Sequence, residues 1–263
     1  MHFARATSPV VSGTILHLDG ETWDEPAGGG GMAARALPGL GADVTRFYTA
    51  LGDDEHARAS ERTFADDGVD VRAAARAGPQ NVVLGVVDPS RERTLFVLGP
   101  NEHPTLDDPL PWDELSTFDA VFFTGEDPRT LVAARRARVL VVTARRLPSL
   151  IASGVQADVL IGSATDPGEQ FELGGLPVAP HVVVRTEGSA GGSYRTVSGA
   201  EGRYLPVPLP GPLADSYGAG DVMMAALTLE LGAGRTLEGA LSAAARAAAA
   251  QLTRRGAAPP GRD

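Results

Sequence analysis

Cysteine is absent from this chain of 263 residues. Its absence excludes disulfide bonds, thiolate catalysis and zinc sites built from cysteine. The five histidines include no pair with His-x-x-x-His spacing, which argues against a histidine metal site on a helix. Redox and zinc chemistry are therefore poor explanations for this protein.

Long apolar runs and clusters of basic residues are also lacking. No stretch reaches the roughly 20 apolar residues of a membrane span, and the N-terminal segment has no apolar core typical of a signal peptide. The formal net charge of −10 and the pI near 5.0 oppose binding to nucleic acid or anionic membranes. We therefore expect a cytoplasmic protein with neither partner. An anionic nucleotide would need local positive potential and a divalent cation.

The chain has enough hydrophobic residues, 43%, for one α/β domain with a substantial core, or at most two small domains. Short apolar runs alternate with Ala-, Arg- and Leu-rich segments that favour helices. This alternation predicts a doubly wound, mostly parallel sheet flanked by helices. The predicted strands are Val44–Leu51, Ala120–Thr124, Val139–Thr143, Val159–Ile161 and Val182–Thr186, and the predicted helices are Asp54–Asp67, Pro128–Ala137, Leu147–Ser153, Ala219–Leu231 and Thr236–Arg254.

Two segments depart from this alternation. Residues 81–99 predict a β-hairpin that turns at Pro89 to Glu92, and Gly13 to Glu25 is extended and partly alternating. Together they predict a small separate sheet, or else an ordinary hairpin on the edge of the main sheet. We assign 28–79 and 104–256 to the main domain and 10–27 and 80–103 to the small β-lid. The tail, 257–263, is expected to be mobile.

A glycine-rich loop near the C-terminus carries the strongest chemical signal. Asp215-Ser216-Tyr217-Gly218-Ala219-Gly220-Asp221 precedes an apolar helical run. Small residues let the backbone approach a ligand, and the first N–H groups of a helix attract anions. A carboxylate beside a bound phosphate can accept the proton of an attacking hydroxyl. This pattern indicates phosphoryl transfer, although a glycine-rich helix start that only packs closely is an alternative.

The same loop resembles the second signature, D-T-x-G-A-G-D, of the ribokinase-like (PfkB) carbohydrate and nucleoside kinases. Ser216 stands where Thr is usual. The resemblance implies that Asp221 is the catalytic base, and that Asp215 supports the loop and belongs to the cofactor site. It also implies that the backbone N–H groups of Gly218, Ala219 and Gly220 form an anion hole.

An earlier glycine run resembles the first signature of this family, G-G-x-x-x-N-x-A. Gly28, Gly29 and Gly30 are the implied substrate contacts, and the V-G-D-D-like stretch Thr49–Asp54 supports the alignment. Met32 stands where the family carries a sugar-binding Asn, and a thioether packs rather than forms strong hydrogen bonds. From the glycine run alone, a flexible turn is the alternative.

The family's first strand, which carries an Asp that binds substrate hydroxyls, has no evident counterpart. Gly13-Thr14-Ile15 resembles the segment after that strand, and Asp19, the nearest carboxylate, does not fit its place. We interpret this departure and Met32 as signs of an unusual acceptor, a sequence that begins late, or lost catalysis. They argue against ribose and fructose themselves.

Two further turns resemble nucleotide-site elements of the family. Ser163 and Asp166 keep the spacing of the N-x-x-E motif that organises hydrated Mg²⁺, so Asp166 is expected to contact the metal through water. A helix cap followed by a first-turn acid is the alternative. Thr186 and Gly188 match the T-x-G turn and are expected to contact the nucleotide, while the role of Glu187 stays open.

Three other polar positions complete the expected site. Asn101 and Arg93 flank the hairpin as in family members that close on a sugar, or they are surface turn residues. Arg145, after a predicted strand, could neutralise a phosphate or be solvated. The resemblance implies a kinase that uses ATP and Mg²⁺, acts on a small sugar, polyol or nucleoside, and can dimerise through the lid. A ribokinase-like nucleotide or metabolite sensor is the alternative, and a different α/β transferase is a third.

Overall fold

The computed structural model describes residues 1–90, 93–99, 101–172 and 176–256. The chain forms two compact units. The first comprises Met1–Glu102, Leu209–Val222 and the chain from Ala247 onward, and the second comprises His103–Pro208 and Met223–Arg246. The predicted mobile tail, 257–263, lies outside the described residues, as do Arg91 and Glu92 of the predicted hairpin turn.

The first unit contains two sheets. A four-stranded sheet has the order β2-β1-β5-β6, in which β1 runs parallel to β5 and the other pairs are antiparallel. A second sheet pairs β3 with β4 in parallel. Its elements are β1 (His2–Ala6), β2 (Leu18–Asp24), α1 (Gly29–Gly39), β3 (Thr45–Leu51), α2 (Glu55–Asp66), β4 (Val69–Ala75), β5 (Val82–Val87) and β6 (Arg93–Leu98).

The V-G-D-D-like stretch serves the fold of this unit. The Asp54 carboxylate caps α2 by accepting a hydrogen bond from the Ala57 N–H at 3.0 Å. A side chain at Gly52 would collide with the backbone near Gly78 and Gln80, so this position requires glycine. Phe64 on α2 then packs with buried residues of α1 and β4.

The second unit contains a six-stranded sheet of order β12-β11-β10-β9-β8-β7. Strands β7 to β10 are parallel, and β11 and β12 continue the sheet antiparallel. Fully buried aliphatic residues of β8, β9 and α3 form its core. Its elements are β7 (Ala120–Phe123), α3 (Pro128–Ala134), β8 (Val139–Thr143), α4 (Leu147–Ser153), β9 (Val159–Ser163), β10 (Val182–Thr186), β11 (Gly192–Thr196) and β12 (Glu201–Tyr204). Two longer helices follow, α5 (Ala219–Gly232) and α6 (Leu237–Gln251). The first four residues of α5 and the last five of α6 belong to the first unit.

The predicted α/β class, with parallel strands and flanking helices, is confirmed. The strand set predicted from the sequence lacks β1, β4, β11 and β12, which the structure adds. The structure also shortens the extended stretch that began at Gly13, which becomes strand only at Leu18. In the part of the chain that the structure describes, no helix has the length and apolar character needed to span a membrane.

Candidate active site

The glycine-rich loop leads directly into α5, and its conformation depends on glycine. Gly218 has a φ of +74°, and the Gly218 carbonyl accepts a hydrogen bond from the Val222 N–H at 2.9 Å. Gly220 is exposed, and a Cβ added there would meet open space. Asp221 lies in the first turn of α5 and is partly exposed. An accessible helix start thus carries both backbone N–H donors and a carboxylate.

Asp215 holds this loop from beneath. Its carboxylate is buried, Oδ1 accepts from the Tyr217 N–H at 2.9 Å, and Oδ2 accepts from the Gly256 N–H at 3.1 Å. Such amide contacts stabilise a buried carboxylate. They are the contacts of a loop support, which the family resemblance also implies, while a contribution of Asp215 to cofactor binding stays a prediction.

Tyr217 connects the two signature loops, although no sequence pattern assigns it a role. Its phenol oxygen accepts a hydrogen bond from the Gly28 N–H at 2.9 Å, across 189 positions of sequence. Burial raises the pKa of the Tyr217 phenol, and the negative charge of Asp221 raises it further. A Tyr next to a glycine motif gives no sequence signal of so distant a partner.

The glycine run forms the start of α1. Gly28 precedes the helix with a φ of +87°, and Gly29 and Gly30 belong to its first turn. Met32 is 1% exposed and packs against Gly218 of the glycine-rich loop. The contact is so close that a Cβ added at Gly218 would collide with the Met32 Cε. The structure thus brings the first and second signatures together. Met32 has a packing role, and its contact with a substrate stays a prediction.

Two polar residues of the hairpin region lie in the same unit. Arg93 donates to the Ser216 Oγ at 2.9 Å, and its guanidinium carbon lies 4.7 Å from the centre of the Tyr217 ring. Asn101 is exposed and accepts a hydrogen bond from the Asn81 side chain at 3.1 Å. Arg93 therefore contacts the glycine-rich loop from the start of β6, and the role of Asn101 in substrate binding stays a prediction.

The predicted nucleotide residues lie in the second unit, at the carboxyl ends of adjacent parallel strands. Ser163 ends β9 and pairs in register with Thr186, which ends β10. The Ala164 N–H donates to the Thr186 carbonyl at 2.8 Å, so the two turns touch. Ligands of parallel sheets bind at this edge. The structure thus brings Ser163, Thr186 and the turn containing Gly188 together.

Asp166 is engaged by protein groups. Its Oδ1 accepts from the Gly168 N–H at 2.8 Å and its Oδ2 pairs with Arg145 at 2.6 Å. The Gly168 amide and the Arg145 guanidinium lower the pKa of Asp166 despite partial desolvation. The Ser163 Oγ accepts from the N–H groups of Thr165 and Asp166, both at 3.1 Å. These contacts are those of a helix cap, the alternative interpretation of this motif.

The carboxylates described here do not form a direct metal cage. Within 1–90, 93–99, 101–172 and 176–256, no group of three or more His, Asp or Glu residues is arranged to hold a metal ion. Both oxygens of Asp166 already have protein partners, which suits the expected contact with Mg²⁺ through water. That indirect contact stays a prediction.

The turn after β10 is built around Gly188, which has a φ of +56° and open space beside it. Glu187, whose role the sequence left open, pairs with Arg203 at 2.6 Å and accepts a hydrogen bond from Ser193. The hydrogen bond from Arg203 lowers the pKa of Glu187. Glu187 therefore fixes the turn to β11 and β12, leaving the exposed Gly188 backbone accessible.

The parallel core, the small sheet and the glycine-rich start of a late helix define a ribokinase-like kinase fold. The chain belongs to the pfkB family of carbohydrate kinases, whose sequence model matches residues 5–152 and 176–262. No protein of curated function matches the sequence closely enough to count as a relative.

Solved structures show the same fold. The ribokinase from Thermotoga maritima superposes with a TM-score of 0.76 at 18% identity, covering 97% of this chain and 90% of that one. The adenosine kinase from Sinorhizobium meliloti gives 0.72 at 17% identity, covering 92% and 81%. The Arabidopsis thaliana ribokinase complexed with ribose and ATP gives 0.66 at 17% identity, covering 97% and 90%.

Proposed function

We propose that this protein is an ATP-dependent kinase that transfers the γ-phosphoryl group to a hydroxyl of a sugar, polyol or nucleoside. The observation that carries the proposal is Asp221, a partly exposed carboxylate in the first turn of α5, next to the open backbone at Gly220. Membership of a carbohydrate kinase family supports the same class of reaction.

Asp221 accepts the proton of the acceptor hydroxyl as that oxygen attacks phosphorus. The N–H groups of Gly218, Ala219 and Gly220 donate hydrogen bonds to the oxygens on which negative charge develops. Asp215 keeps these amides in place through its own two hydrogen bonds. Bound ATP supplies the phosphoryl group, with Mg²⁺ to neutralise its charge.

The nucleotide contacts are assigned to Ser163, Thr186 and Gly188, which share one edge of the second unit's sheet. The complex of the plant ribokinase with ribose and ATP supports ATP as the donor. Because the sequence contains no lysine, a phosphate loop that depends on a lysine ammonium is excluded. Backbone amides, arginine and Mg²⁺, held indirectly by Asp166, take that role.

The acceptor contacts are assigned to Gly28, Gly29 and Gly30, with Asn101 from the segment after β6. The partly exposed backbone groups of Gly29 and Gly30 suit a ligand with several hydroxyl groups, whereas the Gly28 N–H is already bonded to Tyr217. Met32 replaces a hydrogen-bonding amide by packing, so we expect an acceptor other than ribose or fructose. The cytoplasmic location expected from the sequence stays a prediction.

We also propose a homodimer formed through β6. This edge strand exposes four consecutive apolar side chains, a pattern that edge strands of stable monomers avoid. They are Leu95, Phe96, Val97 and Leu98.

A binding protein without catalysis is the second candidate, and Met32 favours it. Its thioether lacks the side-chain hydrogen bonds that the family's Asn gives a sugar, and it is buried against Gly218. Asp221 favours the kinase, because a protein that only binds has no need of a base at that position.

The test is an ADP-release assay with ATP and Mg²⁺ across a panel of sugars, polyols and nucleosides. We expect turnover with at least one acceptor, and a loss of about 10²–10⁴-fold in kcat for Asp221→Asn, because the general base is removed. Asp43→Asn is the matched control, since it removes a carboxylate from an exposed residue outside the site.

Acceptor-dependent turnover that survives Asp221→Asn rejects Asp221 as the base. If no acceptor reacts although ATP raises the melting temperature, the binding protein replaces the kinase as the conclusion.

A further inference from the structure

A hydrogen bond joins the two signature loops at one point. The Gly28 N–H donates to the phenol oxygen of Tyr217 at 2.9 Å. Gly28 precedes α1 in a left-handed conformation, and Tyr217 is 4% exposed. Gly28 is itself exposed, but its N–H bond to the buried Tyr217 is partly shielded from water, so the contact constrains both loops.

Tyr217 itself is held rigidly within the first unit. Its N–H is bonded to Asp215, and its ring packs edge-on against Phe3, with 5.2 Å between the ring centres. The Arg93 guanidinium lies over the ring and is fixed in turn by Ser216. Because contacts fix both the backbone and the ring of Tyr217, the position of its hydroxyl group is also fixed.

The position of Tyr217 in the chain links it to the proposed chemistry. Gly218 follows it directly, and Asp221 comes four residues later, in the first turn of α5. On the other side, Gly28 begins the glycine run proposed to bind the acceptor. The hydroxyl of Tyr217 is therefore a direct bridge between the acceptor loop and the loop that carries the base.

We propose that Tyr217 is a positioning residue, whose hydroxyl fixes the glycine run at Gly28 relative to the loop that leads into Asp221. This inference rests on the proposed kinase function. Phosphoryl transfer needs the attacking oxygen within about 3–3.5 Å of the reacting atom, and a displacement of about 1 Å can cost about 10²-fold in rate. Tyr217 acts through the Gly28 backbone and does not itself react.

Tyr217→Phe tests the proposal because it removes only the hydroxyl oxygen and retains the ring contacts with Phe3 and Arg93. We expect kcat/KM for the acceptor to fall about tenfold or more, while KM for ATP stays at the parental value. Tyr204→Phe is the matched control, because it removes another buried tyrosine hydroxyl, whose contact is with the Met223 sulfur at 3.8 Å. It should leave acceptor kinetics unchanged.

Parental acceptor kinetics in a folded Tyr217→Phe variant overturn the proposal, as does a rise in the KM for ATP as large as the loss of kcat/KM for the acceptor. A second measurement needs neither activity nor a folded variant. In the parent, the Gly28 amide should exchange with solvent slowly, and rapid exchange at Gly28 rejects the bridge. Failure of the kinase proposal is distinct, since it appears as absent turnover in the parent.

Discussion

Gly218 and Gly220 lie two positions apart in the glycine-rich loop. They differ in whether the backbone conformation and the surrounding space require glycine. Gly218 combines a φ of +74° with a Cβ direction blocked by Met32. Gly220 has open space in that direction and lies within α5. Glycine at 218 therefore serves the fold, whereas glycine at 220 serves the approach of a ligand to the backbone.

We predict that Gly218→Ala lowers the free energy of unfolding by about 1–2 kcal/mol, because alanine is strained at positive φ and displaces Met32. Gly220→Ala should keep or raise stability, by up to about 1 kcal/mol, because alanine favours the helix. The added methyl group should nevertheless reduce kcat/KM for ATP. Denaturant unfolding with steady-state kinetics checks both variants.

The two variants control for each other. Similar losses of stability would contradict the steric distinction between the two positions. A Gly220→Ala variant with parental kinetics would show that no ligand approaches the backbone there.

At the scale of single elements, the exposed apolar side chains of the edge strand β6 lead to a prediction about dimerisation. The side chains of β6 alternate between the two faces of an edge strand, yet Leu95 to Leu98 are all exposed, with Val97 at 52%. We predict that Val97→Lys weakens a dimer at least about tenfold, because a charge is buried at the contact. Sedimentation velocity over a concentration series measures this change.

Val132→Lys is the matched control, because Val132 on α3 is 50% exposed and lies outside the four-stranded sheet. It should leave association unchanged. A monomeric parent, or a Val97→Lys variant that dimerises like the parent, would disprove the role of β6.

The elements also show how far sequence reasoning reaches. Strands β8 and β10 and helix α4 were predicted with the observed bounds, because short runs of valine and leucine end at clear turn signals. Strands β1 and β4 interleave Arg or Asp with small residues, while β11 and β12 contain glycine and charged residues. Strand β1 pairs with the distant β5, and β4 pairs with β3 across helix α2. Strands β11 and β12 form short hairpins with β10 and with each other, and their glycine and charged residues give no strand signal.

In the candidate site, too, the parts with a local sequence signal were predicted and the long-range contacts were not. The glycine-rich loop and Asp221 were located from local spacing, and the structure places them at the start of α5. The bond between Tyr217 and Gly28 spans 189 positions, and the partner of Asp166, Arg145, lies 21 positions away. Such contacts are set by the packing of distant segments, so a single sequence could not predict them.

For the whole molecule, charge is the dominant electrostatic property. The formal net charge is −10, and all 23 basic side chains are arginine. Many of these arginines are paired with carboxylates, among them Arg145 with Asp166 and Arg203 with Glu187. At distances beyond the immediate site, the molecule therefore presents a negative potential to an approaching nucleotide.

This charge predicts an unusual response of nucleotide binding to salt. At about 10 mM salt the screening length is about 30 Å, so repulsion from the whole chain reaches MgATP, whereas at about 150 mM it is about 8 Å and distant charges are screened. Amide and arginine contacts within the site act at shorter range and persist. The Kd of MgATP should therefore fall as salt rises over this range at constant free Mg²⁺, measured by calorimetry. Asp113 is exposed and pairs with Arg136. The substitution Asp113→Arg should lessen the salt effect, because it makes the net charge of the chain less negative. A Kd that rises steadily with salt would instead mean that attraction to local positive charge outweighs the net charge of the molecule.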